Sequence, residues 1–301
     1  MAEIIKIQPE DSGQRLDRWL KRHFKGSIPY TLLQKLIRTG QIRLNGKRIK
    51  TDTILEEGQE LRLPPLAPSE KPIKTPPKIR ASDLEAFQES ILYEDNDVLV
   101  LNKPIGWAVQ GGTNLKFHLD QILQNHPTYG RLFLTHRLDR ETSGVLILAK
   151  SREAAAFITQ AFKEKIIEKT YWALIVGEPP LDEGEIHEPL EKKTPRGTMT
   201  VDAETHYRVL GAKRGITWVE LMPLTGRTHQ LRQHMAMIGC PILGDGLYGG
   251  REAHPFGKRS ALHLHARQIS FTGPTAKQIQ VQAPLPEELL KTFRELGLKI
   301  L

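Results

Sequence analysis

Apolar positions near the start of the chain recur at helical spacing twice and then switch to alternation. Over residues 15–24, Leu16, Trp19, Leu20 and Phe24 fall on one stripe, while Arg15, Arg18, Lys21 and Arg22 occupy the other faces, which predicts an amphipathic basic helix. A second helix is predicted from Pro29, a good first-turn residue, through Leu32, Leu33, Leu36 and Ile37 to Gly40 as C-cap, with Lys35 and Arg38 exposed. The stretch QIRLNGKRIK then reads as two short strands around Asn45-Gly46, the strongest two-residue hairpin signal, with Arg43, Lys47 and Arg48 beside it.

Residues 64–79 hold six prolines and no periodic apolar pattern, so an extended, semi-rigid linker is expected there, spanning roughly 50 Å at about 3.1 Å per residue. It would let the units on either side dock at separate points of one large ligand. From residue 90 the chain alternates strand-like runs (ILYEDNDVLVLNK, VLILAK, YWALIVG, TWVELMP) with helical stretches at 151–165 and 230–238. The pattern predicts an α+β chain: a helix-helix-hairpin domain over 1–63, a Pro-rich linker over 64–80 and a larger mixed-sheet domain over 81–301. No internal repeat interrupts it.

Length and composition agree with two folded domains: 301 residues, 39% apolar and 26% charged, too apolar for disorder and too mixed for a coiled coil. Uninterrupted apolar runs such as 145–149 or 171–176 fall far short of the roughly 18 residues of a spanning helix. MAEIIKIQPEDSG has none of the layout of a secretory signal, and the single Cys240 can make no internal disulfide. A cytoplasmic protein with no membrane partner is expected.

The net charge of +8 is unevenly placed: residues 1–80 hold 17 Lys+Arg against 9 Asp+Glu, and residues 81–301 hold 26 of each. A localised basic surface favours polyanions, because neutralising phosphates releases condensed counterions. RNA, DNA and an anionic membrane all satisfy that, as does a merely soluble basic domain.

Three dense polar segments mark where chemistry would sit. HRLDRETSG at 136–144 places Asp139 between arginines in a loop before the apolar strand 145–149, a common catalytic position; the plain alternative is an Asp that caps a turn. EKTYWALIVG at 168–177 offers Tyr171, which a buried strand aromatic would equally explain. LTGRTHQLRQHM at 224–235 brings Arg227, His229, Arg232 and His234 within eight residues, with His229 and Arg232 on one face if helical. Arg232 could pair bidentately with a distant carboxylate, or the helix could simply be basic and exposed. LGDGLYG around Asp245 reads first as turns.

Metal chemistry finds no support in spacing. His229 and His234 are five apart with no intervening Glu of a zinc-protease helix, and His263 with His265 lacks companion ligands. No phosphate loop of the GxxxxGK[ST] kind and no GxGxxG follows a strand, so neither nucleotide-triphosphate nor dinucleotide chemistry is expected.

Two resemblances follow from these residues. GQRLDRWL with IRTGQIRLNGKRIK, about 50 residues, resembles the S-four type of RNA-binding module first described in a small-subunit ribosomal protein. This implies structured-RNA contacts through Arg15, Arg18, Arg22, Lys35, Arg38, Arg43, Lys47 and Arg48. The segments HRLDRETSG, TGRTHQLRQHM and ILGDGLYG, with VLNKPIGWAVQGG at 100–112, resemble the pseudouridine synthases that modify large-subunit ribosomal RNA, over nearly the whole chain. The resemblance implies isomerisation of specific uridines in 23S rRNA without cofactor or metal. The partner would be large-subunit rRNA or a pre-ribosomal particle, and the enzyme would be a monomer. It assigns the catalytic aspartate to Asp139, the tyrosine to Tyr171 and the arginine to Arg232, which would hold the Asp139 carboxylate ionised and oriented. His136 and Arg137 become candidate RNA contacts, Arg137 to fill the space left by a flipped base or to touch a flanking phosphate.

The chemistry fits those residue types. Breaking the bond from the ribose anomeric carbon to the ring nitrogen develops cationic character on the sugar, which a carboxylate stabilises, by attack on that carbon or by removing a sugar proton. Three other readings stay open: action on transfer RNA, a ribosome-assembly factor that only binds RNA, and a hydrolase that releases uracil.

Overall fold

The computed structural model describes residues 3–24, 28–65, 79–109, 119–194, 197–257 and 260–300. They fall into two units, divided between Lys78 and Ile79, where Ile79 packs into the core of the larger one. Most of the expected linker, residues 66–78, lies outside the described residues, as do Gln110, Gly111 and Gly112 of the NKPIGWAVQGG segment.

In the smaller unit, strand β1 (Glu3–Lys6) precedes helices α1 (Leu16–His23) and α2 (Tyr30–Arg38), the short strands β2 (Arg43–Leu44) and β3 (Lys47–Arg48), and strand β4 (Glu60–Leu63). The sheet runs β1-β4-β2-β3, antiparallel throughout, with Leu44 opposite Leu61. Leu16, Trp19 and Leu20 are buried against Leu33, Leu36, Ile37, Ile42, Leu55 and Leu61, so the helical spacing marks the core face. Leu32 is the exception: it stays exposed on the outer side of α2. Asn45 (φ 48°) and Gly46 (φ 73°) take the left-handed backbone of a two-residue hairpin turn, and the Asn45 side chain accepts the Glu60 amide at 2.7 Å.

The candidate RNA contacts here differ in how they are held. Arg15 pairs with Asp17 at 2.8 Å, Arg22 pairs with Asp11, and Arg43 donates to the Gly40 and Gly46 carbonyls. Arg18, Lys35, Arg38, Lys47 and Arg48 are exposed.

The larger unit opens with α3 (Ala81–Glu89), β5 (Ile91–Glu94), β6 (Val98–Lys103), α4 (Leu119–Gln124), β7 (Phe133–Leu134), β8 (Ser143–Ala149) and α5 (Arg152–Lys163). It continues through β9 (Glu168–Val176), β10 (Glu183–Ile186), β11 (Leu190–Thr194), β12 (Gly197–Val201), β13 (Thr205–Lys213), β14 (Ile216–Pro223) and α6 (Gln230–Met237). It ends with β15 (Leu264–Thr272), β16 (Gln278–Gln282) and α7 (Glu287–Leu296). Among the described residues a ten-stranded sheet follows the order β10-β13-β14-β9-β15-β8-β6-β5, with β16 beside β15 and β7 beside β8; β11 and β12 form a separate ribbon.

The central strands are apolar without interruption because both sheet faces are covered. On β6 and β8, Leu99, Leu101, Leu146 and Leu148 pack under α3 and α4, while Val98, Val100, Val145 and Ile147 pack on the α5 side. Farther along, Ala173, Val219 and Leu221 meet α6, while Leu174 and Trp218 meet α7. Each fully buried Leu or Ile contributes about 1.5–3 kcal/mol by its removal from water.

One pairing in this sheet is parallel. β15 meets β8 only at His265 opposite Ser143 and Ala266 opposite Gly144, so two antiparallel halves join at a short seam. Gly144, at φ 108°, has the Ala266 carbonyl where a side chain would be: a Cβ would lie 2.2 Å from that oxygen. The loop that carries Asp139 ends at this seam.

Candidate active site

Asp139 sits in the connection from β7 to β8, where its carbonyl accepts the Thr142 amide at 3.2 Å in a tight turn. Tyr171 lies on β9, the strand across β15 from that loop, and Arg232 lies one turn into α6. All three line one cavity of about 550 Å³, so three segments far apart in the chain converge on it.

The structure corrects the expected partner of Arg232. Its guanidinium makes a bidentate pair with Asp245, at 2.8 and 2.7 Å, rather than with Asp139. Asp245 also accepts the amides of Leu247 and Tyr248, each at 3.1 Å, which is why LGDGLYG folds as a turn around this carboxylate. Burial alone would raise the Asp245 carboxyl, but Arg232 and the two amides outweigh it and hold it below its ordinary value. Burial likewise opposes charge on Arg232, yet Asp245 prevails, helped by the fields of Asp139 and Glu141, and the guanidinium stays above its usual value. Arg232 therefore reaches Asp139 through space as a fixed positive charge.

The residue that faces Asp139 directly is His229, with Nε2 3.6 Å from Oδ1. His229 is not helical: it is the N-cap of α6 in left-handed backbone (φ 53°), an unusual state for a residue with a side chain. Its other ring nitrogen is 3.0 Å from the Tyr248 hydroxyl, and the Tyr248 ring lies against the Arg232 guanidinium. The segment around it is pinned. Gln230 donates to Glu204 and Thr205 and accepts from Thr225 and the Arg227 amide, while buried His234 bridges Thr205 and the Glu188 carbonyl.

Burial first, and the Asp139 charge second, push the Tyr171 phenol well above its ordinary range, so it stays protonated. Thr142 lines the same cavity, and its buried hydroxyl has no hydrogen-bond partner among the described residues.

Two lysines, one buried and one half-buried, escaped the sequence reading. Lys103, the lysine of the NKP segment, donates to the carbonyls of Pro104, Trp107 and Arg140 at 2.9–3.4 Å and so ties the 103–107 loop to the Asp139 loop. Burial lowers its ammonium to about 7 against the opposing fields of Glu141 and Asp139. Lys169, two residues before Tyr171, is lowered to about 8 by burial and by Lys165. The spacing of NKP and KTY showed where these lysines stand but not that the fold buries them.

The candidate RNA contacts of this unit divide. Arg137 is exposed and lines the cavity. His136 is corrected: its Nε2 accepts the Ile147 amide at 2.9 Å, its ring packs on Phe162, and burial lowers it to about 3. A neutral imidazole committed to a strand amide offers a phosphate no charge; it pins the loop instead. His263 and His265 are buried in hydrogen bonds to Thr292 and the Ala261 carbonyl, and to Ser143 and the Ala283 carbonyl. Among the described residues no group of three or more His, Cys, Asp or Glu is placed to hold a metal, and no helix is long and apolar enough to cross a membrane.

Comparison with known proteins places this cavity in context. The family model described as RNA pseudouridylate synthase matches residues 97–237, which include the Asp139, Tyr171 and Arg232 segments. The chain is 36% identical to Ribosomal large subunit pseudouridine synthase C of Vibrio vulnificus, over 98% of this chain and 96% of that one. It is 35% identical to the protein of the same name from Escherichia coli strain K12, over 98% and 97%. Among solved structures, Human RNA Pseudouridylate Synthase Domain Containing 4 superposes with a TM-score of 0.62 at 27% identity, covering 72% of this chain and 96% of that one.

Proposed function

The chain belongs to the RNA pseudouridylate synthase family, and from that premise we propose that it isomerises specific uridines of large-subunit (23S) ribosomal RNA to pseudouridine. It would act in the cytoplasm on free rRNA or a pre-ribosomal particle. The observation that carries the reading is the convergence of Asp139, Tyr171 and Arg232 on one cavity. Near-full-length similarity to two large-subunit enzymes favours this RNA over transfer RNA.

The reaction breaks the bond from the ribose anomeric carbon to N1, turns the uracil, and joins the same carbon to C5. The C5 proton leaves, N1 gains one, and substrate and product are isomers. Asp139 acts on the sugar, as nucleophile at the anomeric carbon or as base toward its neighbour. Arg232, fixed by Asp245, supplies a stationary positive charge beside it at no reorganisation cost during the reaction. His229 faces the Asp139 carboxylate, braced behind by Tyr248, and positions it.

Tyr171 stacks on the uracil, and its phenol, held neutral, passes the C5 proton on by releasing its own in the same movement. The partnerless Thr142 hydroxyl meets a substrate oxygen. The target base must leave its stack at a cost of a few kcal/mol, and Arg137 at the cavity lining fills the gap or touches the flanking phosphate. The smaller unit supplies affinity for structured RNA through Arg18, Lys35, Arg38, Lys47 and Arg48.

The test is pseudouridine mapping of rRNA from cells lacking the protein, complemented with wild type or Asp139→Asn. A few large-subunit sites should vanish and return only with wild type. Unchanged large-subunit rRNA would move the substrate to another RNA, and restoration by Asp139→Asn would refute the catalytic assignment.

A further inference from the structure

Beyond the residues assigned above, one wall of the cleft carries cations that form no ion pair among the described residues. Lys163 ends α5, Lys165 lies two residues past it, and Lys169 is the second residue of β9; all three line the cavity that holds Asp139. Lys165 closes the helix in left-handed backbone, φ 60°, at a position where glycine is the usual occupant. Its amide bonds back to the Phe162 carbonyl at 3.3 Å, and the next amide to Ala161 at 3.2 Å, so the turn is a proper helix stop that carries a long cationic side chain.

Lys169 stands between this turn and the loop that carries His229. Its hydrogen bond among the described residues runs to the Thr225 carbonyl at 3.4 Å, near the limit for such a bond, and no carboxylate pairs with it. Other lysines withdrawn from solvent in this unit are treated differently. Lys150 meets Glu94 at 2.6 Å, and Lys103 meets three carbonyls and the fields of two carboxylates. Nearby His136 is neutral and committed to the Ile147 amide, and the Arg227 Nε is committed to the Asp202 carbonyl at 2.8 Å. The exposed Lys165 charge bears on half-buried Lys169, which is unfavourable until an anion arrives, and the burial that weakens the Lys169 ammonium also strengthens its bond to that anion.

We propose that Lys163, Lys165 and Lys169 form a phosphodiester subsite in the cleft wall, gripping the RNA backbone beside the uridine that enters toward Asp139; this rests on the RNA-modifying reading above. The subsite sets the register of the strand, so that binding to one phosphate fixes which nucleoside reaches the carboxylate.

The test uses the full-length protein and an rRNA fragment that wild type isomerises, in two series. In the first, Lys165→Gln, Lys169→Gln and Lys169→Arg are compared with wild type for RNA affinity across a salt series and for single-turnover rate, with circular dichroism to confirm folding. Each Gln variant should bind about tenfold more weakly, the low end for a charged hydrogen bond. Each should also lose about 0.7–0.9 from the slope of log affinity against log salt, and Lys169→Arg should keep most of both. In the second, phosphates near the target are replaced singly by neutral methylphosphonates. One position should weaken wild type by the same factor and Lys169→Gln no further.

Unchanged slopes in the exposed Lys165→Gln variant and in Lys169→Gln, or losses that add at every methylphosphonate position, would overturn the subsite while leaving the enzyme's activity standing. Wild type that binds the mapped RNA yet forms no pseudouridine in any fragment would instead overturn the functional reading beneath it.

Discussion

The smaller unit and the cleft of the larger one both rely on charge, but they hold it in opposite ways. In the smaller unit Arg18, Lys35, Arg38 and Lys47 stand in solvent around an apolar core, where charge acts through long-range attraction and counterion release. In the cleft wall Arg232 and Lys169, and behind it Asp245 and Lys103, are buried or half-buried, where each charge is either matched at hydrogen-bond distance or displaced from its ordinary pKa. Net charge therefore finds an affinity surface and overlooks a reactive one. All of the sequence's basic excess lies in residues 1–80, whereas the 81–301 region is balanced at 26 against 26. A balanced region can hold a site when opposite charges are placed one by one.

If that contrast is right, damage to the cleft should cost stability and chemistry, and damage to the smaller unit should cost affinity alone. The largest effect belongs to Asp245→Asn. It strips the partner from a buried guanidinium and should destabilise the larger unit by about 3–5 kcal/mol in denaturant titration, with loss of activity. The sign with pH follows from the depressed carboxyl. The wild-type advantage over the variant is fully present above the unfolded carboxylate value, near 4, and is lost as the pH falls through the lower folded value. A stable, active Asp245→Asn would break the contrast.

The second effect is confined to affinity. Changing Arg18, Lys35, Arg38 and Lys47 together to Gln should reduce the salt slope of RNA binding by about 3, at roughly 0.7–0.9 per phosphate contact. The single-turnover rate at saturating RNA should stay unchanged. A fall in that rate would mean the smaller unit also shapes the chemistry.

A third effect sharpens the electrostatic side. Lys103, at about 7 in the folded chain and about 10.4 unfolded, binds fewer protons folded than unfolded between those values. Its contribution to stability should therefore rise with pH over that window. Wild type should gain on Lys103→Met by up to about 1.4 kcal/mol per pH unit between pH 7 and 9, and parallel stability curves would show that burial does not depress the ammonium.

The smallest effect is at Thr142. Replacing its partnerless hydroxyl with the methyl of Thr142→Val should leave thermal stability unchanged or raise it by about 1 kcal/mol. The same change should lower the single-turnover rate about tenfold, because the hydroxyl meets its partner only in the RNA complex.

How much of this was legible before the structure depended on the range of the interaction. Leu16, Trp19 and Leu20 announced a helix and its buried face because helical spacing is local, and Asn45-Gly46 announced a turn for the same reason. Asp139, Tyr171 and Arg232 stood out as dense polar segments flanked by apolar strands. The partner of Arg232 did not, because Asp245 lies in a glycine-rich turn whose local signal is the turn itself. His136 looked like part of the polar loop, but its ring reaches back to Ile147 on the next strand, a contact that spacing does not encode. Likewise, the two-residue parallel seam of β15 on β8 depends on segments about 120 residues apart, and nothing local marks Gly144 as the point where the two backbones meet.

Isomerisation in the cleft detaches the uracil from the ribose only transiently and returns it to the same sugar carbon. Its most direct test is an rRNA transcript carrying tritium at C5 of its uridines, incubated with wild-type enzyme and then assayed for tritium in water and for free uracil. Isomerisation predicts one tritium released for each pseudouridine formed and no free uracil, since C5 must exchange its hydrogen for the sugar while the base stays bound. Tritium retained in the RNA, or uracil released without pseudouridine, would contradict it.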